Sequence, residues 1–316
     1  MKVLVASPRG FCAGVNMAIA TLERTLELFP PPIYAYHEIV HNTHVVQRFR
    51  TRGVIFVDEV EEVPAGATLV FSAHGVSPDV RRRAAARGLC VIDATCPLVT
   101  KVHSEAIRFA RHGHHIVLIG HEGHDEVVGT IGEAPDRITL VQSPDDVDTL
   151  DLDAVPSVAY LSQTTLSVDD AGAVIGRLRA RFPAIAAPPH EDICYASQNR
   201  QDAVAQLASE VDVVLVIGSQ NSSNSRRLAE IAHERGVPAY LIDDATDIDP
   251  RWLDGVAAVG VTAGASAPEE IVRDCLDYLR DCFDGVVESR APSPEAMHFQ
   301  LPAELRRAIN GQAKLA

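Results

Sequence analysis

The segment Asp93-Ala94-Thr95-Cys96-Pro97 places a cysteine between a β-rich run, Leu89 to Ile92, and a helical run. Pro97 suits the first position of a helix because its missing N–H would have no partner there. Apolar residues then recur on one helical face until Gly113 ends the pattern. Cys96 is therefore predicted at a helix N-terminus, where free N–H groups and the helix dipole favour the thiolate form that binds metals.

Two more cysteines have the same context. Cys12 follows a short apolar strand pattern, Cys194 follows Asp192-Ile193, and each precedes a predicted helix. We predict one such cysteine in each of three modules that share a common centre. The other cysteines, Cys90, Cys275 and Cys282, lack glycine-rich or turn neighbours and are expected to be small buried hydrophobic residues.

Length and charge limit the class of protein. A chain of 316 residues exceeds one ordinary core and allows two or three domains. The formal net charge of −15 argues against binding to nucleic acid or an anionic membrane. We expect no membrane-spanning helix, because no apolar run reaches about 18 residues. The first apolar run is cut by Pro8-Arg9-Gly10, so we expect no signal peptide and a cytoplasmic protein, in which cysteines favour metal or redox use over disulfides.

Predicted strands, loops and helices alternate along the chain, which indicates α/β modules with mainly parallel sheets. We predict α/β domains at residues 1–96, 97–193 and 194–283, with residues 1–13 allowed to pack as a strand on the third. Residues 284–316 are predicted as a polar tail with one β-like patch at His298-Phe299-Gln300-Leu301.

A weak repeat joins three strand-to-loop segments: Val70 to Gly75, Val117 to Glu122 and Leu215 to Gln220. Loops at the carboxyl ends of parallel strands are where α/β proteins bind ligands. His41, His74 and His124 fall in such loops, where they could bind an anion as hydrogen-bond donors. A solvated or helix-capping role is the alternative for each histidine.

The segment Gly218 to Ser225 is rich in serine and asparagine and precedes a predicted helix. Hydroxyl, amide and backbone N–H groups at such a position form an anion site without fixed cations. The alternative is a serine-rich turn that only caps the helix. A similar loop, Thr262 to Ser266, favours the anion site.

Three cysteines on separate modules suit an iron-sulfur cubane better than zinc, whose structural sites usually contain closely paired ligands. With three thiolates, one iron of a [4Fe-4S] cluster would stay open for catalysis. Glu126 lies two residues after His124 and could relay protons if its pKa were raised towards neutrality. For Glu126 the alternative is an exposed loop position, and for the three cysteines it is that they are unrelated buried thiols. For the whole protein, the alternatives are a zinc hydrolase using His121, His124 and Glu126, and a non-catalytic iron-sulfur sensor.

The chain resembles the 4-hydroxy-3-methylbut-2-enyl diphosphate reductases, the terminal enzymes of the non-mevalonate isoprenoid pathway. The resemblance covers nearly the whole chain. It is carried by ordered motifs at residues 9–15 (RGFCAGV), 38–42 (EIVHN), 71–77 (FSAHGVS), 93–97 (DATCP), 120–124 (GHEGH), 162–170 (SQTTLSVDD), 192–195 (DICY), 221–225 (NSSNS) and 262–266 (TAGAS).

This resemblance implies three pseudo-threefold related α/β domains around a central [4Fe-4S] cluster held by Cys12, Cys96 and Cys194. It implies two-electron, two-proton removal of the allylic hydroxyl, giving isopentenyl diphosphate and dimethylallyl diphosphate, with an external electron donor such as ferredoxin or flavodoxin. Glu126 would supply a proton with Thr164 in its network, a role that Thr165 could share. The residues implied to bind the diphosphate or line its pocket are His41, His74, His124, Thr164, Ser222, Ser223, Asn224 and Ser266.

The chain departs from the family pattern at a few positions. Asp125 stands where proline is usual, and Ala171 and Ser197 stand where threonine is common. The extra charge of Asp125 beside Glu126 is expected either to raise the pKa of Glu126 or to repel the diphosphate. These departures leave the proposed ligands in place.

Overall fold

The computed structural model of this chain describes residues 1–152, 154–289 and 295–313, with strands and helices alternating through most of them. The strands are β1 (Lys2–Val5), β2 (Ile33–Tyr36), β3 (Val54–Val57), β4 (Thr68–Phe71), β5 (Cys90–Asp93), β6 (His115–Ile119), β7 (Ile138–Val141), β8 (Val158–Ser162), β9 (Val213–Ile217), β10 (Ala239–Ile242), β11 (Ala258–Ala263) and β12 (Val286–Ser289). The helices are α1 (Ala13–Leu28), α2 (Thr43–Thr51), α3 (Pro78–Ala86), α4 (Pro97–Arg111), α5 (Asp125–Ile131), α6 (Pro144–Thr149), α7 (Val168–Arg181), α8 (Tyr195–Leu207), α9 (Ser223–Glu234), α10 (Glu269–Phe283) and α11 (Ala303–Ala313). Within these described ranges, no helix is both long and apolar enough to cross a membrane.

The strands form three parallel sheets in the described part of the chain. Their strand orders are β10-β9-β11-β1-β12, β3-β2-β4-β5 and β7-β6-β8. Parallel strands need crossover connections, which the intervening helices supply. The predicted fold class, a mixed α/β protein with three small sheets of mainly parallel strands, is confirmed.

Each sheet is built in the same order. A first strand (β2, β6 or β9) lies inside the sheet, the next strand pairs on one side of it, and the third pairs on the other side. The order in which strands are added therefore reverses between the first and third strands. This position, the topological switch point, is where open parallel sheets bind ligands.

The sequence repeat was partly misaligned. The segments at Val117 and Leu215 belong to first strands, β6 and β9, whereas the segment at Val70 belongs to a third strand, β4. The misalignment arose because these first and third strands are each followed by a small residue (Gly120, Gly218 or Ser72) and then a polar loop.

The β6 strand shows why these sheets are stable. Ile116 and Leu118 pack in a buried cluster with α4 residues such as Phe109, while Val117 and Ile119 pack in another cluster with α7 residues. Alternate side chains of a strand point to opposite faces, so helices on both faces require an apolar run and not an alternating one.

The structure near the chain termini differs from the prediction of a β-like patch in the tail. β1 lies between β11 and β12, with Lys2 opposite both Ala258 and Val286. The β-like patch at His298–Leu301 is not a strand; the tail strand is β12, followed by helix α11. All four β12 residues are exposed, so the edge of β1, and not an apolar pattern, determines where this strand forms.

The chain divides into two compact units. The terminal unit comprises Met1–Asn16, Val40–Thr51 and Tyr195–His298 and contains the β10-β9-β11-β1-β12 sheet. The central unit comprises Met17–Ile39, Arg52–Cys194 and Phe299–Ala316 and contains the other two sheets. In the central unit, α11 packs against β5.

The cysteines without turn neighbours differ from expectation. Cys275 is buried as predicted, but Cys90 and Cys282 are exposed. Cys90 is the first residue of the edge strand β5, and Cys282 lies near the end of the amphipathic helix α10, so neither needs an apolar environment.

Candidate active site

The three cysteines with turn neighbours occupy equivalent positions. Each lies immediately before a helix: Cys12 before α1, Cys96 before α4 and Cys194 before α8. All three are outside disulfide bonds and partly buried. The Val15 N–H points at Cys12 Sγ, at 3.4 Å between nitrogen and sulfur. Helix N-termini favour thiolate, the form of cysteine that coordinates metal.

The same kind of backbone hydrogen bond positions each of these cysteines. In each case the cysteine N–H donates to the carbonyl of the second residue after a third strand. The pairs are Cys12 with Ala265 after β11 at 3.2 Å, Cys96 with Ala73 after β4 at 2.9 Å, and Cys194 with Thr164 after β8 at 2.9 Å. Each thiol is therefore held beside the carboxyl end of a sheet, next to its switch point.

In the terminal unit, the switch point lies between the loops that follow β9 and β11. Ser222 caps α9 by accepting a hydrogen bond from the Ser225 N–H at 3.3 Å. A Cβ atom at Gly218 or Gly264 would collide with Ser225 Oγ, so glycine is required at both positions. The two glycines let these polar loops approach closely.

This loop pair contains most of the predicted anion-binding residues of the terminal unit. Ser222, Ser223, Asn224 and Ser266 are all buried. Both polar atoms of the Asn224 amide are buried without a hydrogen-bond partner among the described residues. Buried amides are almost always paired, so an unpaired one points to a ligand.

His41 joins the same group. Its carbonyl accepts a hydrogen bond from Ser266 Oγ at 2.8 Å, and its Nδ1 lies 3.5 Å from Asn221 Nδ2. The chain at Thr43 is tied to the loop after β9 by a hydrogen bond from the Thr43 N–H to Ser219 Oγ at 2.9 Å. The terminal unit therefore brings together five of the candidate binding residues: His41, Ser222, Ser223, Asn224 and Ser266.

In the central unit, His74 and His124 lie close together, with ring centroids 5.8 Å apart in an edge-to-face arrangement. His124 also caps α5, because its Nδ1 accepts a hydrogen bond from the Glu126 N–H at 3.2 Å. A neutral imidazole that accepts at Nδ1 carries its proton at Nε2, so this contact makes Nε2 the donor that could meet an anion.

Glu126 is buried, with 2% of its surface exposed. The Thr164 N–H donates to Oε1 at 2.7 Å, and the Thr164 hydroxyl donates to Oε2 at 3.0 Å. Burial raises the pKa of Glu126 to about 7, with a smaller contribution from the Asp192 carboxylate and opposition from the Thr164 hydrogen bonds. Glu126 is thus an acid that can give up or take back a proton near neutral pH.

Thr164 and Thr165 have different surroundings. Thr164 contacts Glu126 through its N–H and hydroxyl, and its carbonyl accepts the Cys194 N–H. The Thr165 hydroxyl instead accepts a hydrogen bond from Gln163 Nε2 at 2.8 Å. Thr164 therefore connects the acid directly to the loop of a candidate metal ligand, whereas this contact of Thr165 stabilises its own loop.

Asp192 was not identified from the sequence as a functional residue. It is buried, its Oδ2 accepts from the Ser162 N–H at 3.0 Å, and its Oδ1 accepts from Lys101 Nζ at 3.2 Å. Its position two residues before Cys194 was a usable signal, since a carboxylate beside a predicted ligand affects nearby charges.

The contacts also weigh against a zinc site made by His121, His124 and Glu126. His124 Nδ1 is engaged by the Glu126 N–H, and both Glu126 oxygens accept hydrogen bonds from Thr164. The backbone N–H of His121 donates to Gln163 Oε1 at 3.0 Å. His121 therefore lies in a loop and does not share a helix with His124. The soft thiol donors at Cys12, Cys96 and Cys194 are the better metal ligands.

Taken together, thiols at helix N-termini, a buried acid that titrates near neutrality and buried polar loops with an unpaired amide define a metal-dependent α/β enzyme acting on an anionic substrate. Comparison with known proteins agrees with this class. The profile of the LytB protein family matches residues 3–280. The chain belongs to the LytB family.

Relatives and solved structures support the same assignment. A "4-hydroxy-3-methylbut-2-enyl diphosphate reductase" of Rhodopirellula baltica is 56% identical over 313 residues, which cover 99% of this chain and 98% of that protein. The protein of the same name from Rhodococcus opacus is 56% identical over 308 residues, covering 97% of this chain and 92% of that protein. The solved "E-1-hydroxy-2-methyl-but-2-enyl-4-diphosphate reductase" of Plasmodium falciparum superposes with a TM-score of 0.96 at 38% identity and 99% coverage of both chains. The chain is an oxidoreductase of this family, and membership supports a metal cofactor.

Proposed function

We propose that this chain removes the allylic hydroxyl of 4-hydroxy-3-methylbut-2-enyl diphosphate by reduction. Two electrons and two protons are consumed, the C–O bond breaks, water leaves, and isopentenyl diphosphate or dimethylallyl diphosphate forms. The observation that carries the proposal is the Glu126–Thr164–Cys194 connection. It joins a buried acid with a pKa of about 7 to the loop of a candidate metal ligand through one residue.

Cys12, Cys96 and Cys194 are proposed to hold a [4Fe-4S] cluster. Three features support this assignment: the thiol donors, their equivalent positions before helices and their shared backbone hydrogen bond. When bound, the cluster would supply the electrons and, at the iron without a protein thiolate, a Lewis acid for the hydroxyl. We further propose α/β domains at residues 1–96, 97–193 and 194–283, with the strand in residues 1–13 packing on the third domain, followed by a tail at residues 284–316.

The diphosphate is proposed to bind to hydroxyl, amide and imidazole groups and not to a cluster of lysines and arginines. The proposed residues are His41, His74, His124, Thr164, Ser222, Ser223, Asn224 and Ser266. The unpaired Asn224 amide and the buried serines of the terminal unit are suited to this role, because desolvated donors in fixed positions hold an anion strongly. With a net charge of −15, such local donors have to outweigh the overall field.

Glu126 is proposed to deliver the proton that converts the departing hydroxyl into water. About half of the Glu126 side chains carry a proton at the pKa of about 7, so a donor is present at neutral pH. After the transfer, the Thr164 N–H and hydroxyl both donate to the carboxylate and stabilise its charge. Thr165 is assigned a supporting role in this loop.

The electrons are proposed to come from an external protein such as ferredoxin or flavodoxin, and the enzyme is proposed to act in the cytoplasm. The first experiment is to measure iron and acid-labile sulfide on protein purified without oxygen, followed by turnover with a chemical reductant. About four of each per chain together with turnover would support the proposal, by the stoichiometry of a cubane cluster. Zinc without sulfide would refute it.

A further inference from the structure

The Asp125 carboxylate lies between two histidines of the central unit. Its Oδ1 is 2.8 Å from His37 Nδ1, and its Oδ2 is 3.8 Å from His74 Nδ1. His74 is one of the proposed diphosphate ligands, whereas His37 has no part in the proposed reaction.

His37 is held firmly in place for this contact. Its φ is +55°, in the left-handed region, which costs an ordinary residue about 1 kcal/mol. Its ring stacks on Tyr36 with centroids 4.2 Å apart and an interplanar angle of 15°. Its Nε2 lies 3.3 Å from the carbonyl oxygen of Asp58. Backbone, ring and both nitrogens are therefore all engaged.

These contacts favour a charged imidazole. Both His37 nitrogens face oxygen atoms that accept hydrogen bonds, yet a neutral imidazole has only one N–H. Both hydrogen bonds can form only when His37 carries two protons. The hydrogen bond that His37 donates to the Asp125 carboxylate accordingly raises the pKa of His37, against the opposing effect of burial. The pair then carries compensating charges, and Asp125 adds no net charge near the histidines.

We propose that Asp125, held by His37, is a positioning residue that orients His74 for binding of the substrate's diphosphate. The carboxylate attracts the Nδ1 side of the His74 ring, which directs Nε2, the opposite nitrogen, to the anion. This inference rests on the proposed function, because it takes the diphosphate as the ligand.

A pH dependence follows from this arrangement. Three residues face His37. They are Asp125 on α5 through its carboxylate, Asp58 after β3 through its backbone carbonyl and its carboxylate charge, and Tyr36 on β2 through its ring. When His37 loses its second proton, the Asp125 charge is no longer compensated and repels the diphosphate. Binding should therefore weaken as the pH rises through the raised pKa of His37.

The test is calorimetric titration of inorganic diphosphate into the cluster-loaded protein, without oxygen, from pH 6 to pH 9. The variants are Asp125→Asn and, as a matched control, Asp58→Asn, which makes the same change beside His37 but leaves the Asp58 carbonyl in place. Each Kd is divided by the Kd of the unaltered protein at the same pH, because diphosphate itself titrates. For Asp125→Asn this ratio should fall from about five at pH 6, the order of magnitude of one lost charge contact with His74, towards one at pH 9. For Asp58→Asn it should stay near one.

A second variant checks the role of His37. His37→Asn should fold, because asparagine tolerates the left-handed conformation, and it cannot titrate. It should weaken diphosphate binding at pH 6 and change it little at pH 9. A ratio for Asp125→Asn that is independent of pH, or equal to that of the Asp58→Asn control, would overturn the inference, as would failure of the unaltered protein to bind diphosphate. Turnover of the allylic substrate is measured separately, so loss of the proposed reaction with intact pH-dependent binding would refute the function and leave this inference standing.

Discussion

At the scale of single residues, burial determines what Glu126 can do. The sequence showed a glutamate two residues after His124, for which composition alone favoured an exposed loop position. The structure buries it and hydrogen-bonds it to Thr164, 38 residues further along the chain. The Asp192 carboxylate helps to raise the pKa of Glu126. The adjacent Asp125 carboxylate is instead paired with His37.

Replacing Glu126 with glutamine should abolish most turnover while the protein keeps its iron and sulfide. The amide can accept from the Thr164 N–H and donate to its hydroxyl, so the fold should survive, but it has no proton to give. Loss of a general acid commonly costs about 10²- to 10⁴-fold in rate. Full kcat in this variant would remove Glu126 from the reaction. Glu122→Gln, an exposed change in the same loop, is the control and should have normal kcat.

The pH profile of the unaltered enzyme offers an independent check on Glu126. Because the pKa of this acid is raised to about 7, its protonated form is lost as the pH rises through that value. Turnover at saturating substrate should therefore fall above about pH 7. The same raised pKa stabilises the folded state at low pH, and that contribution disappears as the pH rises through about 7. In Glu126→Gln, urea unfolding should lose this part of the pH dependence.

Replacing Ser222 with alanine should raise KM for the allylic diphosphate more than it lowers kcat. The hydroxyl is proposed to bind the diphosphate, which the reaction leaves unchanged, so ground state and transition state lose the same interaction. The change also removes the cap of α9, which costs about 1 kcal/mol of stability. Ser143→Ala removes the cap of α6 in the same way and should leave KM unaltered. Equal KM values in the two variants would argue against Ser222 as a ligand.

At the scale of elements, α8 ties the Cys12 loop to the body of the terminal unit. Arg200 is fully buried and donates two hydrogen bonds to the Gly10 carbonyl, at 3.0 and 2.7 Å. It also donates to the Ala196 carbonyl at 2.8 Å and pairs with Glu295 at 3.0 Å. A planar guanidinium can make all these contacts at once, whereas an ammonium group cannot.

Arg200→Lys should therefore loosen the Cys12 loop and speed the loss of cluster iron in air. Lysine keeps the positive charge but cannot replace all of these hydrogen bonds, so a lower midpoint of unfolding is expected as well. Arg177→Lys weakens an exposed bidentate pair with Asp148 and should change neither property appreciably. The measurement is the decay of the cluster's visible absorbance after exposure to air. Equal decay rates in the two variants would contradict this role of Arg200.

Two elements show where sequence patterns failed. Helix α5 has seven residues and follows Gly123, so its short pattern gave no clear helical signal, although its cap His124 and acid Glu126 are central to the site. Strand β12 is exposed throughout and exists because β1 offers it an open edge. Propensity predicts long amphipathic helices such as α4 well, but not short elements that depend on distant partners.

At the scale of the whole molecule, the common strand order explains why ligand candidates recur at distant positions in the chain. Each sheet has a switch point, and each cysteine is bound to the loop after a third strand. Because the three thiols come from equivalent places, the loss of any one should have the same consequence. Cys12→Ser, Cys96→Ser and Cys194→Ser should each yield protein with little iron and sulfide.

The other cysteines are the controls for this prediction. Cys90 and Cys282 are exposed, and their replacement by serine should leave the iron and sulfide content at the level of the unaltered protein. Iron and sulfide analysis together with visible absorption tests both sets. Retention of a full cluster in any one of the first three variants would show that the corresponding cysteine is not a ligand.

The sequence by itself determined the α/β class, most of the long elements and the identity of the candidate ligands, because these depend on local patterns: apolar runs, helix signals and motif residues. Only the tertiary structure decided the chemical state of these residues. Several features depend on residues that lie far apart in the chain. They are the pKa of Glu126, the contact between His37 and Asp125, the hydrogen bonds from Arg200 to Gly10 and the pairing of β12 with β1. Burial and hydrogen bonding depend on which distant groups come together, and a local pattern contains no record of them.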